Sequence, residues 1–347
     1  RVEVNPKLDW IRTLTGSPVG NEKLLDEYTK RLGSMVPALG GCKLYLKTAS
    51  RFATGLGREH PIENGFAWHP TLGAPYLPGS SVKGLVRAWA RVLLENGNID
   101  AATERRIFGG ERSEHVGSVI FFDAIPTRSV RLEADIMTPH YGPYYQDSSG
   151  RTAPGDWHSP NPIPFLTVAS GQNFLFGIAP RTSSDADRQD CEKVAQWLSE
   201  ALQTLGAGAK TAVGYGRFVP DPESAEAAKK SEEEAAKKAR EAAEQAAFVA
   251  SLAHLSPIAR ELRQAAHAGR WETDANAFKS AGVREKWMER LEADPQPDAV
   301  AYFGELIEKH DPGILSDPDR KEGKKQKPAY KESSIKITKR WLALPKQ

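Results

Sequence analysis

The residues best suited to chemistry in this 347-residue chain are cations set among glycines and hydroxyls. The stretch from Leu205 to Phe218 interleaves Lys210, Thr211, Tyr215 and Arg217 with Gly206, Gly208, Gly214 and Gly216. Glycine permits positive φ and close approach of another molecule. Backbone N–H groups fanned out by such a turn form a concavity for an anion. Lys210 and Arg217 add charge, and Tyr215 offers a flat ring on which a base can stack. The chemistry implied is a backbone clamp on a phosphate chain. The same residues also describe a helix-to-strand turn with no ligand, and the stretch alone does not choose.

A P-loop fits poorly. That motif needs Gly directly before the Lys and another five residues earlier, where this chain has Ala209 and Thr204. The element order is also reversed. Val194, Trp197, Leu198, Ala201, Leu202 and Leu205 recur at helical spacing before the loop, whereas residues 212–219 read as a strand.

A second cluster lies at Pro78-Gly79-Ser80-Ser81-Val82-Lys83-Gly84. Ser80 or Ser81 is expected to N-cap a helix, with Val82, Leu85, Val86, Trp89, Val92 and Leu93 as its apolar stripe. Lys83, Arg87 and Arg91 recur every four residues on another face. A helix start with free N–H groups and hydroxyls suits a phosphate; Arg91, a turn further in, reads as solvated. His140, Asp123 and Asp156 raise the alternative of a metal-dependent RNA endonuclease. No spacing among them supports a catalytic constellation, and His140 and His158 read as surface histidines.

These residues need a scaffold. Residues 41–49 alternate as a half-buried strand, Cys42, Leu44, Leu46 and Thr48 facing one way and Lys43, Tyr45 and Lys47 the other. The second face suits either solvent or nucleic acid. Residues 50–79 form a long Gly/Pro-rich loop carrying Arg51 and, as its acids, only Glu59 and Glu63; loops of this length are usually functional or disordered. Strands are expected over 117–125, 130–136, 162–168 and 173–178, the last two joined as a hairpin through Ala169-Ser170-Gly171-Gln172. Between them, 137–164 reads as a projecting insertion with three tyrosines and Trp157. With a helix running from the Ser80/Ser81 cap through Leu93 and another over 185–205, the order implies an α+β, ferredoxin-like (RRM-like) domain with insertions over residues 1–220.

The character changes at Asp221-Pro222, a helix start. From Ala225 to Ala247 the only apolar residues are alanines, and Glu226/Lys230, Glu233/Lys237 and Glu234/Lys238 form i,i+4 pairs. Residues 221–247 therefore read as an exposed helical spacer. Residues 248–315 carry enough periodic aromatic and aliphatic side chains for a small helical region, giving a C-terminal all-α extension. Residues 316–347 read as a basic tail, with ten Lys/Arg against three Asp/Glu from Asp319 onward, solvated unless Ile335, Ile337, Trp341 and Leu342 dock it.

The net charge of +2 points to no partner by itself, so any basic surface must be local. Two distant cysteines, Cys42 and Cys191, without a C-x-x-C pair, argue against a disulfide scaffold or zinc site. No apolar run approaches a membrane span, and no signal-peptide pattern opens the chain. A cytoplasmic protein without cofactor or metal is expected.

Three stretches together resemble one family. Residues 78–84 and 206–217 resemble signatures of the RAMP superfamily of CRISPR proteins. Thr138-Pro139-His140-Tyr141 with Pro164-Phe165-Leu166-Thr167-Val168 is similar to the sixth-numbered subunit family of the type III-B Cmr effector complex. The resemblance covers roughly residues 40–219 and leaves 220–347 open. It implies an antiviral, non-catalytic subunit that binds the 3′ part of a guide crRNA. Its partners would be complementary target RNA, a repeated backbone subunit and a terminal cap subunit. Carried onto this sequence, it implies RNA contacts at Ser80, Ser81, Lys83, Arg87, Gly206, Gly208, Lys210, Thr211, Gly214, Tyr215 and Arg217, with Arg51, His140 and Tyr141 alongside. By analogy, 137–164 would be a thumb wedged into the guide–target duplex. The related target-cleaving subunit carries an Asp in the loop after its first strand; loop 50–79 has none.

Overall fold

A computed structural model describes residues 6–61, 63–110, 116–280, 282–323 and 327–345. The chain divides into two compact units, Arg1–Lys230 and Ser231–Gln347.

The first unit contains α1 (Pro6–Thr15), α2 (Glu22–Ala38), β1 (Cys42–Thr48), α3 (Gly79–Glu95), α4 (Ala101–Phe108), β2 (Val119–Phe121) and β3 (Ile125–Pro126). It continues with β4 (Leu132–Met137), the short α5 (Gly142–Gln146), β5 (Ile163–Val168), β6 (Asn173–Pro180), α6 (Asp185–Thr204) and β7 (Phe218–Pro220). Among the described residues the main sheet runs β2-β6-β1-β7, with β3 also beside β6 and every pairing antiparallel. Leu44 faces Phe176 and Leu46 faces Phe174 across the central pair.

Alternation along β6 explains both layers. Phe174, Phe176 and Ile178 point to the side covered by α3 and α6, where Val82, Val86, Val194, Leu198 and Leu202 complete one apolar cluster. Phe218 meets Phe174 and Phe176 edge to face there. Leu175 points to the other side, where α2 brings Leu25, Leu32 and Val36. Gly177 lets α2 come close, since a Cβ there would stand 2.9 Å from Val36 Cγ2. Tyr45, which the sequence left facing solvent or nucleic acid, packs against this second cluster. The sheet is therefore covered on both faces near its centre, and α2 is the reason.

The expected hairpin between 162–168 and 173–178 does not form. β5 pairs with β4, from Leu132↔Val168 to Met137↔Ile163, while β6 enters the main sheet. The chain crosses between sheets by wrapping Thr48. Its buried hydroxyl donates to Ala169 O at 2.8 Å and accepts from Gln172 N at 2.9 Å. The strand expected over 117–125 splits into β2 and β3, with Asp123 turned toward α3. The strand expected over 212–219 shortens to β7. Thr211–Val213 form a 3₁₀ turn, and Gly214 and Gly216 take φ of 96° and 73°, which no strand accommodates.

Helix α7 (Pro222–Ser251) buries no residue. Of the expected ion pairs along it, Glu226–Lys230 stands at 3.8 Å, and Arg240–Glu244 joins it at 2.9 Å.

The second unit holds α8 (Pro257–Ala268), α9 (Ala275–Lys279), α10 (Val283–Ala293), α11 (Pro297–His310), the two-residue strands β8 (Lys321–Glu322) and β9 (Lys327–Pro328), and α12 (Glu332–Leu342). Leu262, Trp271, Phe278, Trp287, Leu291, Phe303 and Ile307 form its core. Residues 332–342, grouped with a basic tail in the sequence, fold as α12 and bury Ile337 and Trp341 in that core. Trp341 Nε1 donates to Val300 O at 2.8 Å, and Arg340 pairs with Glu285 and Glu292, both at 2.6 Å. The cations that made this segment look like a tail lie on the outer face of an amphipathic helix.

Candidate nucleic-acid interface

The two clusters singled out in the sequence meet in the first unit. A groove of about 710 Å³ runs between the start of α3 (Pro78, Ser81, Leu85), the loop after β1 (Thr54 to Arg58) and the glycine-rich loop after α6. From that last loop it takes residues 204–209, Thr211, Ala212 and Arg217.

The glycine-rich loop is held by its backbone. Ala207 N donates to Gly216 O, Ala209 N to Ala53 O and Gly216 N to Arg51 O, each at 2.8 Å. Gly208, at φ 81°, allows the approach to residue 53: a Cβ there would collide with the Ala53 carbonyl. Lys210 adopts φ 59° and ψ 29°, a left-handed conformation strained for a residue with a side chain. A left-handed residue followed by the right-handed turn at Thr211 gathers successive N–H groups into an anion-binding concavity. The N–H groups of Lys210, Thr211 and Ala212 have no backbone partner among the described residues, while Val213, Gly214, Tyr215 and Gly216 all do.

Two guanidinium groups line the same groove. Arg217 Nη1 is enclosed and unbonded, set so near Gly206 that a Cβ there would strike it. Arg58 is exposed and makes no ion pair among the described residues. The sequence counted Arg58 only as part of the long loop. A cation in a Gly-rich loop opposite a second glycine loop is the signal that would have marked it.

Other expected contacts are placed differently. Gly79, not a serine, opens α3, with Pro78 at the cap position and no side-chain cap bond. Its N–H donates to Asp123 Oδ1 at 2.6 Å, so an internal carboxylate already occupies part of the helix start. Ser81 lines the groove; Ser80 is exposed outside its lining, and Lys83 is half-buried one turn on. Arg87 turns to α4 and pairs with Glu104 at 2.7 Å, so its charge is largely spent within the fold.

Tyr215 does not present a free ring. It stands 6.1 Å from Phe165 of β5, and its hydroxyl donates to Asp135 of β4. Arg51 donates to the same Asp135 and, at 2.9 Å, to Glu133. Burial pushes the Asp135 carboxyl up, but hydrogen bonds from Tyr215, the Ile136 N–H and Arg51 outweigh it and hold the group below its ordinary value. Lys210 Nζ lies 5.5 Å from the Phe165 ring centre. The glycine-rich loop is thus latched to the β4–β5 pair through Asp135 and Phe165. Neither residue was assigned a role from the sequence, because both belong to strands distant in the chain. Gly214 is exposed at the loop tip.

His140 and Tyr141 lie in the insertion, outside the groove. His140 Nδ1 is 3.1 Å from His158 O, and Tyr141 donates to Asp156 at 3.1 Å. The three residues of the nuclease alternative are therefore dispersed in role: Asp123 holds the start of α3, and Asp156 is bound to Tyr141. Among the described residues no group of three or more His, Cys, Asp or Glu side chains is placed to hold a metal ion. No helix of the described residues is long and apolar enough to cross a membrane.

An antiparallel sheet with helices on it and a glycine-rich loop before its last strand define a class, and the family model for the RAMP superfamily matches residues 45–219. The chain belongs to the RAMP superfamily. Within it the chain is Cmr6-like. It is 33% identical over 256 residues to the CRISPR system Cmr subunit Cmr6 of Pyrococcus furiosus, covering 57% of this chain and 72% of that protein. It is 31% identical over 168 residues to the Cmr6 subunit of Saccharolobus solfataricus, covering 48% of this chain and 51% of that protein. The fold is similar, at a TM-score of 0.50 and 24% identity, to a chain in the cryo-EM structure of type III-B Cmr-beta bound to cognate target RNA. That match covers 62% of this chain and 71% of the other.

Proposed function

We propose that this chain is a non-catalytic, guide-RNA-holding subunit of a type III-B CRISPR effector complex, working in the cytoplasm. In this reading its first unit is a ferredoxin-like domain of residues 1–220, its groove grips the phosphate backbone near the 3′ part of the guide, and its neighbours are target RNA, the repeated backbone subunit and the terminal cap subunit. The strand order β2-β6-β1-β7, with α3 and α6 between successive strands, supports the domain assignment. The similarity to Cmr6 subunits supports the assembly.

One observation carries the reading: among the described residues the N–H groups of Lys210, Thr211 and Ala212 take no backbone partner, and Thr211 and Ala212 line a groove that also holds Arg58 and Arg217. Backbone amides, Ser81 and Thr211 hydroxyls and guanidinium groups grip phosphates without reading bases. A guide of any sequence has to be held, so such contacts suit the task. Residues 137–164, with exposed Tyr145 and Trp157, act as the projecting element, and 221–247 as a spacer.

Arg58 offers the test, because it is exposed and its loss leaves the core intact. Reconstitution with guide RNA followed by filter binding should show Arg58→Ala weakened for all guide sequences alike. The slope of affinity against salt should fall by about one unit. Unchanged affinity and slope for Arg58→Ala combined with Thr211→Ala would refute the clamp.

A further inference from the structure

The second unit contains its own cationic pocket. A cavity of about 430 Å³ is lined by Phe248, Arg263, His267, Arg270, Glu272 and Tyr302, with Ala266 and Thr273. Arg263 lies 4.0 Å over the Tyr302 ring, and its Nε is buried with no hydrogen-bond partner. Phe248 and His267 stack with ring centres 4.2 Å apart and planes inclined by 25°. Glu272, the carboxylate in the lining, already accepts the Tyr302 hydroxyl at 2.7 Å.

We propose that this pocket binds a nucleoside monophosphate group, as a free nucleotide or as one residue of a single-stranded RNA. The Nε is closed off beside the Tyr302 ring, whereas the two terminal nitrogens of Arg263 are not among the buried atoms and take no hydrogen bond among the described residues, which leaves them as the donors for an incoming acceptor. A guanidinium fixed on an aromatic face presents its donor fork to a phosphate. His267 and Arg270, at the end of α8, would be explained by the helix dipole alone. Arg263, in the middle of α8, is not. Two arginines against one engaged carboxylate leave the cavity in need of negative charge. The flat wall of Phe248 and His267 gives a base a surface to stack on. The volume lies within the range of small-ligand sites.

Isothermal titration of AMP, and separately of inorganic phosphate, into the full chain at low salt tests this. AMP should bind, with inorganic phosphate at least tenfold weaker. Arg270→Gln, an exposed change that leaves packing untouched, should weaken AMP at least tenfold, and Arg263→Lys should do the same while keeping the charge. Arg58→Ala, in the groove of the first unit, should leave AMP binding unchanged, which separates this site from the guide clamp. No saturable AMP binding, equal affinity for inorganic phosphate, or loss in Arg58→Ala but not in Arg270→Gln would overturn the proposal. An oligoribonucleotide carrying 4-thiouridine identifies the source of the nucleotide. Crosslinks mapping to 248–273 that disappear in Arg270→Gln assign a strand; AMP binding without such crosslinks assigns a free nucleotide.

Discussion

The guanidinium of Arg217 sits beneath Gly206 with Nη1 enclosed, one residue before the strand that closes the sheet. Around it each side chain or its absence has a separate task. Gly208 at φ 81° lets the loop lie on Ala53, so Gly208→Ala adds both a strained φ and a clash. We expect it to cost about 1–3 kcal/mol in urea unfolding and to weaken guide binding. Asp190 shows the electrostatic side of the same unit. It is buried on α6 and accepts from Arg106 at 2.6 and 2.8 Å and from Ser118 at 2.8 Å. Burial pushes its carboxyl up, but the Arg106 and Ser118 hydrogen bonds prevail and hold it below the ordinary value. A carboxylate lowered in this way stabilises fully above its unfolded pKa, about 3.9, and the contribution is lost as pH falls through the folded value. Asp190→Asn should therefore be less stable than wild type by about 1–3 kcal/mol at pH 7. In urea titrations the gap should close at the most acid pH. The Arg106 side chain is half exposed, which keeps the figure modest.

At the scale of elements, the helices were the more legible part. The apolar stripe of residues 82–93 and the spacing of 194–205 sufficed to locate α3 and α6, since one buried face suffices to mark a helix. Strand partnership was not legible. β5 and β6 are joined by a four-residue turn with hairpin chemistry, yet the Thr48 hydroxyl ties that turn to β1 and sends the two strands into different sheets. α12 was legible only as an option, because its cations dominate the local composition while Ile337 and Trp341 do the packing. Trp341→Ala should destabilise the second unit by about 3–5 kcal/mol. Limited proteolysis should then cut within 257–345 while the first unit stays resistant. Equal protection of wild type and variant would show that α12 contributes little to that core.

For the whole molecule, the net charge of +2 gives no sign of the two guanidinium groups, Arg58 and Arg217, that line the glycine-rich groove. Guide binding should accordingly fall steeply between low and physiological salt, with a slope set by the number of phosphates gripped and not by net charge. A flat salt response in filter binding would place the RNA elsewhere. The sequence by itself determined α3 and α6, the glycine-rich turn and the superfamily, because these rest on local spacing and residue type, whereas α1 and α4 carried no pattern that marked them. Only the tertiary structure decided that α2 covers the second sheet face and that Tyr215 and Arg51 are bound to Asp135. It alone brought Arg58 across the groove from Arg217. Those facts depend on residues far apart in sequence being brought together by burial, and no local pattern encodes which partner a charged or aromatic side chain will meet.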